Sequence, residues 1–332
     1  MNKKLKIIFI TIIVAFLCVY FWDIYIPKSL LPTSVIMYEA KRGMGDEEIS
    51  LELEKMGIIK NSIFFRIYAY ATGKDKKIQA GTYNLSPKMS VVQILEKFVL
   101  GDVVKNKITI IEGFRAKDIA NYLESKNFYK KEEFLESVDK GWNEEFTFLE
   151  SKPKGLNLEG YIFPDTYNVA LGTTSEDFLR ITLKNFNKKL TTDLRNEIEK
   201  QKKSIFQIIT MASIIEKEVK TLEDKKNVAG ILWKRLEVGM PLQVDATVNY
   251  FTGKSDSRVK IVDTKIDSPY NTYKYTGLPL GPISNPGMDS ILASIYPTKN
   301  DYWYYLSANG NGQTIFSKTL EEHNIAVSKY LK

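Results

Sequence analysis

The most informative stretch of this 332-residue chain reads SIFQIITMASIIEKEV and extends from Ser204 to Val219. Its side chains are apolar on nearly every side of a helix until the last turn, and helices with this pattern are buried in folded proteins. The stretch therefore predicts a buried helix whose last turn carries two carboxyl groups, those of Glu216 and Glu218.

The two glutamates have different neighbours on this predicted helix. Glu218 follows Ile214 and Ile215, which lie one turn back, whereas Glu216 follows two small residues. A carboxyl group over apolar side chains loses hydration, so its pKa rises and it can act as a general acid near neutral pH. At ~100° per residue the two side chains point about 160° apart, so one small site would not accommodate both. The pattern favours Glu218 as the acid, with Glu216 as the alternative.

A structural interpretation of the same segment stays open at this point. In it, both glutamates are solvated charges in the last turn of the helix, with Lys217 and Lys220 as their partners. The composition and the other polar segments of the chain must therefore be weighed beside the helix.

Composition narrows the kinds of chemistry. The chain has 44% apolar and 26% charged residues, which excludes a disordered or collagen-like protein. It has 1 cysteine, Cys18, and 1 histidine, His323, too few to build a zinc site or an iron–sulfur cluster from side chains. No G-x-S-x-G motif is present. We therefore expect no metal and no cofactor, and catalysis mostly by carboxylates, lysine, tyrosine or serine.

The excess of basic residues is mild. The chain has 47 lysines and arginines against 40 aspartates and glutamates, a formal charge of +7 that is spread along the sequence. This charge is at least as compatible with an anionic polymer or a membrane surface as with nucleic acid.

The N-terminus has the pattern of a membrane anchor. Lysines at positions 3, 4 and 6 precede an apolar run from Ile7 to Trp22. About 20 residues cross a bilayer core, and positive charge keeps the short end in the cytoplasm. We therefore expect residues 1–6 in the cytoplasm, residues 7–26 as a transmembrane signal anchor, and the rest outside. A cleaved signal peptide, for which no A-x-A site follows the run, and a buried soluble helix are the alternatives.

Residues 33–150 have the pattern of one or two small α+β modules. Amphipathic helices are predicted over residues 46–56 and 91–99 and an apolar helix over residues 63–71, with a strand that begins at Gly81. Identical residues also recur at an offset of 70, which indicates two related units. The pairs are Gly43 with Gly113, Ile49 with Ile119, Leu53 with Leu123, Glu54 with Glu124, Lys60 with Lys130, and Phe64 with Phe134. Such units suit glycan or protein binding. A spacer that holds the next domain away from the bilayer explains the pattern equally well.

Residues 155–332 are predicted to form one α+β domain. A helix is predicted over residues 224–236, and a hairpin from Tyr302 to Phe316 around Asn309-Gly310-Asn311-Gly312. Acidic, amide and tyrosine side chains also lie in short Pro- or Gly-bounded segments, where loops carry function. These residue types are typical of sugar-binding sites, with loop packing as the alternative. They are Glu159, Tyr161, Gln243, Asp245, Tyr270, Asn271 and Tyr273.

Several segments together resemble one protein family. They read EGYIFPDTY from Glu159, MASIIEKEV from Met211, LQVDATVNY from Leu242, SPYNTYKYTGLP from Ser268 and GPISNPG from Gly281. With the anchor and the GTYNL segment at Gly81, their order and spacing resemble the YceG-like endolytic murein transglycosylase (MltG) family over the whole chain.

The resemblance implies an α+β single-pass membrane protein with a LysM-like module and a C-terminal catalytic domain that is periplasmic or otherwise extracytoplasmic. The implied activity is that of an endolytic peptidoglycan lytic transglycosylase, a lyase that cleaves the MurNAc–GlcNAc β-1,4 bond of nascent strands. It would leave 1,6-anhydroMurNAc ends and terminate strand elongation. The implied essential residue is Glu218, and the sugar-site residues named above, except Tyr161, would form the cleft.

The resemblance also implies partners. These are peptidoglycan glycan strands and the cell membrane, together with penicillin-binding proteins and other wall-synthesis proteins. Nucleic acid is not expected, because the body of the protein would face away from the cytoplasm.

Two other functions stay open on the sequence. A muramidase, which is a hydrolase, would use Asp245 or Glu159 to activate water and would leave reducing ends. A non-enzymatic, membrane-anchored scaffold would bind glycan for the wall-synthesis machinery, and both glutamates would then be structural. The chemistry of the product ends separates the first alternative from the lyase, and binding without product would identify the second.

Overall fold

Short strands alternate with helices along the chain, which makes the protein a mixed α+β structure, as predicted. The computed structural model describes residues 3–254, 259–308 and 312–331. The chain divides into two units, the first with the residues up to Ile108 and Asn168–Thr173, the second with Thr109–Tyr167 and the residues from Thr174 onward.

The first unit begins with an apolar helix, α1, from Lys3 to Tyr25. Strands β1 (Ile36–Ala40) and β2 (Gly81–Leu85) pair antiparallel. The other helices of the unit are α2 (Asp46–Lys55), α3 (Ser62–Ala71) and α4 (Val91–Leu100), with a 3-10 turn at Asp75–Lys77. Leu53, Phe65, Tyr83 and Phe98 are among the fully buried side chains that form the core between the strands and these helices.

Local sequence sets the helix limits in this unit. The Asn61 side chain accepts hydrogen bonds from backbone N–H groups at the start of α3. Ser90 and Gln93 form a capping box at the start of α4, and Gly101 ends that helix with a φ of 63°.

The second unit holds most of the helices. Its helices are α5 (Ala116–Ser125), α6 (Lys131–Asp139), α7 (Ser175–Lys189), α8 (Thr192–Lys200), α9 (Ile205–Glu218), α10 (Leu222–Glu237), α11 (Asp245–Thr252), α12 (Met288–Ile295) and α13 (Leu320–Tyr330), with 3-10 turns at Thr147–Leu149 and Asp263–Lys265. Strand β3 (Lys105–Thr109) pairs with β4 (Thr166–Ala170), and most residues of both strands belong to the first unit. Strands β5 (Tyr304–Ser307) and β6 (Thr314–Ser317) form an antiparallel hairpin.

Helix α9 lies at the centre of the second unit, as its apolar sequence predicts. All of its residues from Ile208 to Ile215 are buried, and a capping box of Ser204 and Gln207 fixes its first turn. Helices α8, α10, α11 and α12 pack around it. This packing holds the last turn of α9 in a fixed orientation.

Most predicted elements agree with the structure. Four further predicted helices match α2, α3, α4 and α10 to within two residues at each end. The hairpin is confirmed by β5 and β6, although Asn309, Gly310 and Asn311 of its turn lie outside the described residues. The repeat is supported too, because α2 and α5 begin 70 positions apart, at Asp46 and Ala116, as the pattern predicts.

The predicted domain limits stay a prediction. The compact units place residues 109–150 with the C-terminal elements, whereas the sequence pattern groups residues 33–150 together. Structural units of this kind do not by themselves say which residues share a function.

Candidate active site

Glu218 is the last residue of α9, where the backbone leaves the helix for an extended conformation at Val219. Its carboxylate accepts a hydrogen bond from Tyr305 Oη at 3.0 Å. Burial of the carboxyl raises the pKa of Glu218 to about 7, the Tyr305 hydrogen bond opposes this rise, and the negative charge of Asp245 adds to it. A carboxyl with this pKa exchanges its proton near neutral pH.

Glu218 lines an open cavity of about 710 Å³. Ligand sites commonly have a volume of this order and place a few polar groups among apolar ones. Four residues predicted from the sequence meet at this cavity: Glu218, Gln243, Asp245 and Tyr273. The other lining residues include Lys217, Arg235, Leu242, Tyr304, Tyr305, Leu306, Ser307, Leu320, His323 and Val327.

Asp245 and Tyr273 form a hydrogen-bonded pair in the cavity wall. Tyr273 Oη donates to Asp245 Oδ1 at 2.5 Å, and the Val259 backbone N–H donates to the other carboxylate oxygen at 3.3 Å. Burial and the Asp245 carboxylate raise the pKa of the Tyr273 hydroxyl above its usual range, so the hydroxyl keeps its proton. Asp245 also opens α11, where the helix dipole favours a negative charge.

Gln243 has an unusual backbone conformation for a residue with a side chain. Its φ is 53°, a left-handed value that costs about 1 kcal/mol or more outside glycine. The Gln243 N–H donates to the Thr272 carbonyl at 3.0 Å, and the Val244 N–H donates to Thr272 Oγ1 at 3.1 Å. These bonds hold the strained residue in the cavity wall, where its side chain is exposed.

Sequence reasoning missed the residues that the C-terminal hairpin brings to the cavity. Tyr305 comes from β5 and lies 87 positions after Glu218, so no local pattern could pair them. Arg235 donates to the carbonyl oxygens of Trp303 at 2.6 Å and Leu242 at 2.7 Å, which ties the start of the hairpin to the segment before Gln243. The tyrosine-rich run at residues 302–305 was the available signal.

Comparison with known proteins agrees with the motifs. The profile of the YceG-like family matches residues 38–329. This chain belongs to the YceG-like family. An endolytic murein transglycosylase from Bacillus subtilis (strain 168) is 37% identical over 306 residues, which cover 87% of this chain and 83% of that protein. One from Streptococcus pneumoniae is 32% identical over 348 residues, which cover 94% of this chain but 62% of that longer protein.

A solved YceG-like structure has the same fold. The crystal structure of a yceG-like protein from Listeria monocytogenes, 36% identical in sequence, superposes with a TM-score of 0.61. The match covers 89% of this chain and 100% of the other. The arrangement of elements described above is therefore shared with another member of the YceG-like family.

The YceG-like motif EKEV places Glu216 on the other side of the helix from Glu218. The carboxylate of Glu216 pairs with Lys225 Nζ at 3.2 Å, and the side chains of both residues are almost fully buried. It also accepts hydrogen bonds from the Gly287 N–H at 3.0 Å and from Ser290 Oγ at 2.6 Å. These contacts tie α9 to α10 and α12, and Glu216 does not line the cavity.

The YceG-like segment EGYIFPDTY is placed in the interior. Glu159 accepts from the Ala116 N–H at 3.0 Å, at the start of α5, and from Asn285 Nδ2 at 3.0 Å. Burial raises the pKa of Glu159 to about 8. Tyr161 is fully buried against Phe148 and Phe186, and its hydroxyl has no hydrogen-bond partner among the described residues. Direct contact of Glu159 and Tyr161 with a substrate stays a prediction.

The remaining YceG-like motif, SPYNTY, supports the cavity wall because it holds Tyr273, which lines the cavity. Asn271 is buried, donates to the carbonyls of Thr264 and Ile266 at 2.9 and 2.7 Å, and accepts from the Tyr273 N–H at 3.0 Å. It therefore positions Tyr273 and does not face the cavity. The ring of Tyr270 packs on Tyr250 with centroids 4.8 Å apart. Substrate binding by Asn271 and Tyr270 also stays a prediction.

Proposed function

We propose that this chain is an endolytic murein transglycosylase, the activity that names its relatives from B. subtilis and S. pneumoniae. It cleaves the MurNAc–GlcNAc β-1,4 bond inside nascent glycan strands and leaves 1,6-anhydroMurNAc ends, which terminate elongation. The observation that carries the proposal is the Glu218 carboxyl, which has a pKa of about 7 and lies in the wall of the large cavity.

In the first step, Glu218 acts as a general acid. Its carboxylic acid donates a proton to the bridging oxygen, the bond from that oxygen to the muramyl C1 breaks, and positive charge develops on the ring. The hydrogen bond from Tyr305 Oη to Glu218 Oε2 fixes the orientation of the carboxyl, and the other oxygen, Oε1, is the one we assign to the proton transfer.

In the second step, Glu218 acts as a base. The carboxylate formed in the first step takes the proton of the muramyl C6 hydroxyl while that oxygen bonds to C1 and closes the anhydro ring. Glu218 thereby regains its proton, and no water is consumed. One carboxyl thus performs both proton transfers, whereas most glycosidases divide this work between two carboxylates.

Asp245 has an electrostatic role in this proposal. Its carboxylate lies close enough to raise the pKa of Glu218, so it also lies close to the charge that develops on the sugar ring. A fixed negative charge stabilises an oxocarbenium-like transition state more than the neutral ground state. Tyr273 holds Asp245 in place through its 2.5 Å hydrogen bond.

The first unit and α1 have roles that the family resemblance implies. Among the described residues, α1 is the one helix long and apolar enough to cross a membrane. We propose that it is a single-pass anchor with a cytoplasmic N-terminus, and that β1, α2, α3 and β2 form a LysM-like, glycan-binding module. The anchor keeps the enzyme where strands are synthesised, so wall-synthesis proteins such as penicillin-binding proteins are the expected partners.

Replacing Glu218 with glutamine tests the proposal. The full chain in detergent is incubated with polymerised, uncross-linked peptidoglycan, and the products are measured by mass spectrometry. Wild type yields anhydro-ended fragments, whereas Glu218→Gln, which cannot donate the proton, loses activity by about 10²–10⁴-fold or more. Strand binding and the melting temperature are measured in parallel and stay at or above the wild-type values.

Glu216→Gln is the matched control on the same turn of α9. It loses the buried ion pair with Lys225 and melts at a lower temperature, but its activity per folded molecule is retained. Full cleavage by Glu218→Gln would contradict the assignment, and loss of cleavage in Glu216→Gln alone would move the role to Glu216. Reducing product ends would identify a hydrolase, and binding without products in wild type would identify a scaffold.

A further inference from the structure

Helix α3 carries an apolar stripe that faces away from the core of its unit. Ile63, Ile67 and Tyr70 are 61%, 42% and 78% exposed. They are spaced four and three residues apart, so they share one face of the helix. A contiguous exposed apolar stripe on a folded helix marks a surface that binds something apolar.

The stripe is continuous with the apolar surface of α1. The Phe64 ring lies edge-on to Phe16 and Tyr20 of α1, with centroids 5.8 and 5.6 Å apart. At the end of α1, Lys60 Nζ donates to the carbonyls of Trp22 at 3.2 Å and Ile26 at 2.8 Å. Phe64 and Lys60, at and just before the start of α3, therefore contact α1 along its last three turns.

The position of these contacts fixes a depth. Phe16 precedes Trp22 by six residues, which is about 9 Å along a helix. If α3 stayed clear of a bilayer, the apolar part of α1 between Lys6 and Phe16 would have roughly nine residues and a length of ~14 Å. That length is too short for a hydrocarbon core of about 30 Å. A spanning α1 therefore requires that Phe64 and the start of α3 enter the outer leaflet.

We propose that α3 is a second membrane-contacting element, which lies in the interface of the outer leaflet with Ile63, Ile67 and Tyr70 toward the acyl chains. This rests on the proposed role of α1 as a membrane anchor. Interfacial helices insert to a depth of about 5–10 Å, which agrees with the depth set by Phe16.

The charged and aromatic residues around the stripe fit the same placement. Trp22 and Tyr25 are exposed at the end of α1, where aromatic rings prefer the headgroup level. The ammonium of Lys60 lies over the Trp22 ring, 5.4 Å from its centroid, at the same level. On α3 itself, Arg66 is drawn away from the stripe by Glu47 of α2, 3.2 Å away. The occupant we infer is therefore a lipid surface.

Fluorescent labels test this placement. In a Cys18→Ser background, single cysteines replace Ile67 or Tyr70, and a water-sensitive dye is attached to the full chain in proteoliposomes. We expect lipids that carry a quencher near the headgroup to reduce the emission of both labels strongly, and iodide in the water to reduce it little. The matched control is Leu51→Cys on α2, also exposed but flanked by acidic residues of α2, which should give the reverse pattern.

A label at Ile10 in α1 separates the two proposals. If lipid quenches the label at position 10 but not those at positions 67 and 70, the anchor stands and the placement of α3 is overturned. If lipid quenches none of the three, the anchor itself fails. Quenching of positions 67 and 70 by neither lipid nor iodide would place another protein surface on the stripe, for example a second copy, and would also overturn the lipid assignment.

Discussion

At the scale of single residues, surroundings separate two chemically identical glutamates. Glu218 has one hydroxyl donor and a nearby carboxylate, and it keeps a proton near neutral pH. Glu216 meets an ammonium group and two further donors inside the protein. The helical repeat alone predicts that they point in different directions, because that angle is a local property of the chain.

Replacing Tyr305 with phenylalanine should move the pH dependence of cleavage. The Tyr305 hydroxyl stabilises the ionised form of Glu218, so its removal raises the pKa of Glu218 further. Hydrogen bonds to charged groups contribute about 1.5–3 kcal/mol, so we expect the basic limb of the rate profile to move up by about 1–2 pH units. The maximal kcat should fall as well, because the carboxyl loses its fixed orientation. Cleavage rates measured from pH 5 to 9 check this.

Tyr304→Phe is the matched control for this variant. Tyr304 is the preceding residue of β5, lines the same cavity, and stacks on His323 at 5.3 Å. Its removal should leave the basic limb at the wild-type pH, whatever it does to the maximal rate. A Tyr305→Phe profile that keeps the wild-type limb would show that the hydroxyl is only a packing contact.

At the scale of elements, the sequence predicts the helices and strands better than the tertiary contacts between them. The Asn-Gly turn signals predict the β5–β6 hairpin, and the apolar pattern predicts α9. That the hairpin covers the end of α9 depends on long-range contacts, such as Ser307 Oγ to the Glu218 carbonyl at 3.3 Å. No periodicity encodes such a contact, so the sequence predicted Glu218 and Asp245 but neither Tyr305 nor Arg235.

Gly230 in α10 allows the segment that leads into the β5–β6 hairpin to pack closely on this helix. A Cβ atom at Gly230 would lie 2.1 Å from the Thr298 carbonyl oxygen, so the segment at residues 298–302 rests directly on the helix backbone. Gly230→Ala should push this segment, and Tyr305 behind it, away from α9. We expect the free energy of unfolding to fall by about 1–3 kcal/mol, the usual range for overpacking. We also expect kcat to fall, because Tyr305 is displaced from Glu218. Thermal unfolding and cleavage rates check both.

Gly141→Ala is the control for the substitution itself. Nothing lies within 4 Å of a Cβ atom built at Gly141. We expect little change in either measurement for this variant. If Gly230→Ala unfolds at the wild-type temperature, the close approach of residues 298–302 to α10 is wrong.

At the scale of the whole molecule, two buried carboxyl groups lower the stability of the folded protein. Glu218 and Glu159 are both held where the charged form is disfavoured, with pKa values of about 7 and about 8 against an ordinary 4.5. The sequence indicates this for Glu218 through its apolar helix, but not for Glu159, whose burial depends on Ala116 and Asn285 from distant segments.

The melting temperature of the full chain should therefore fall as the pH rises. Between pH 4.5 and about 7, folded Glu218 keeps a proton that the unfolded chain has lost, so its contribution to stability is complete below pH 4.5 and disappears as the pH rises through 7.

Glu218→Gln removes this dependence. We expect the variant to melt close to wild type at pH 5 and roughly 10 °C above it at pH 8, because a pKa rise from 4.5 to about 7 corresponds to ~3 kcal/mol. Each kcal/mol moves the melting temperature by ~2–4 °C in domains of this size. Differential scanning fluorimetry in detergent checks this, and Glu159→Gln, whose dependence extends to about pH 8, should give a similar pattern. A difference between Glu218→Gln and wild type that is constant from pH 5 to 8 would show that Glu218 is ionised in the folded protein, which would remove the acid from the proposed first step.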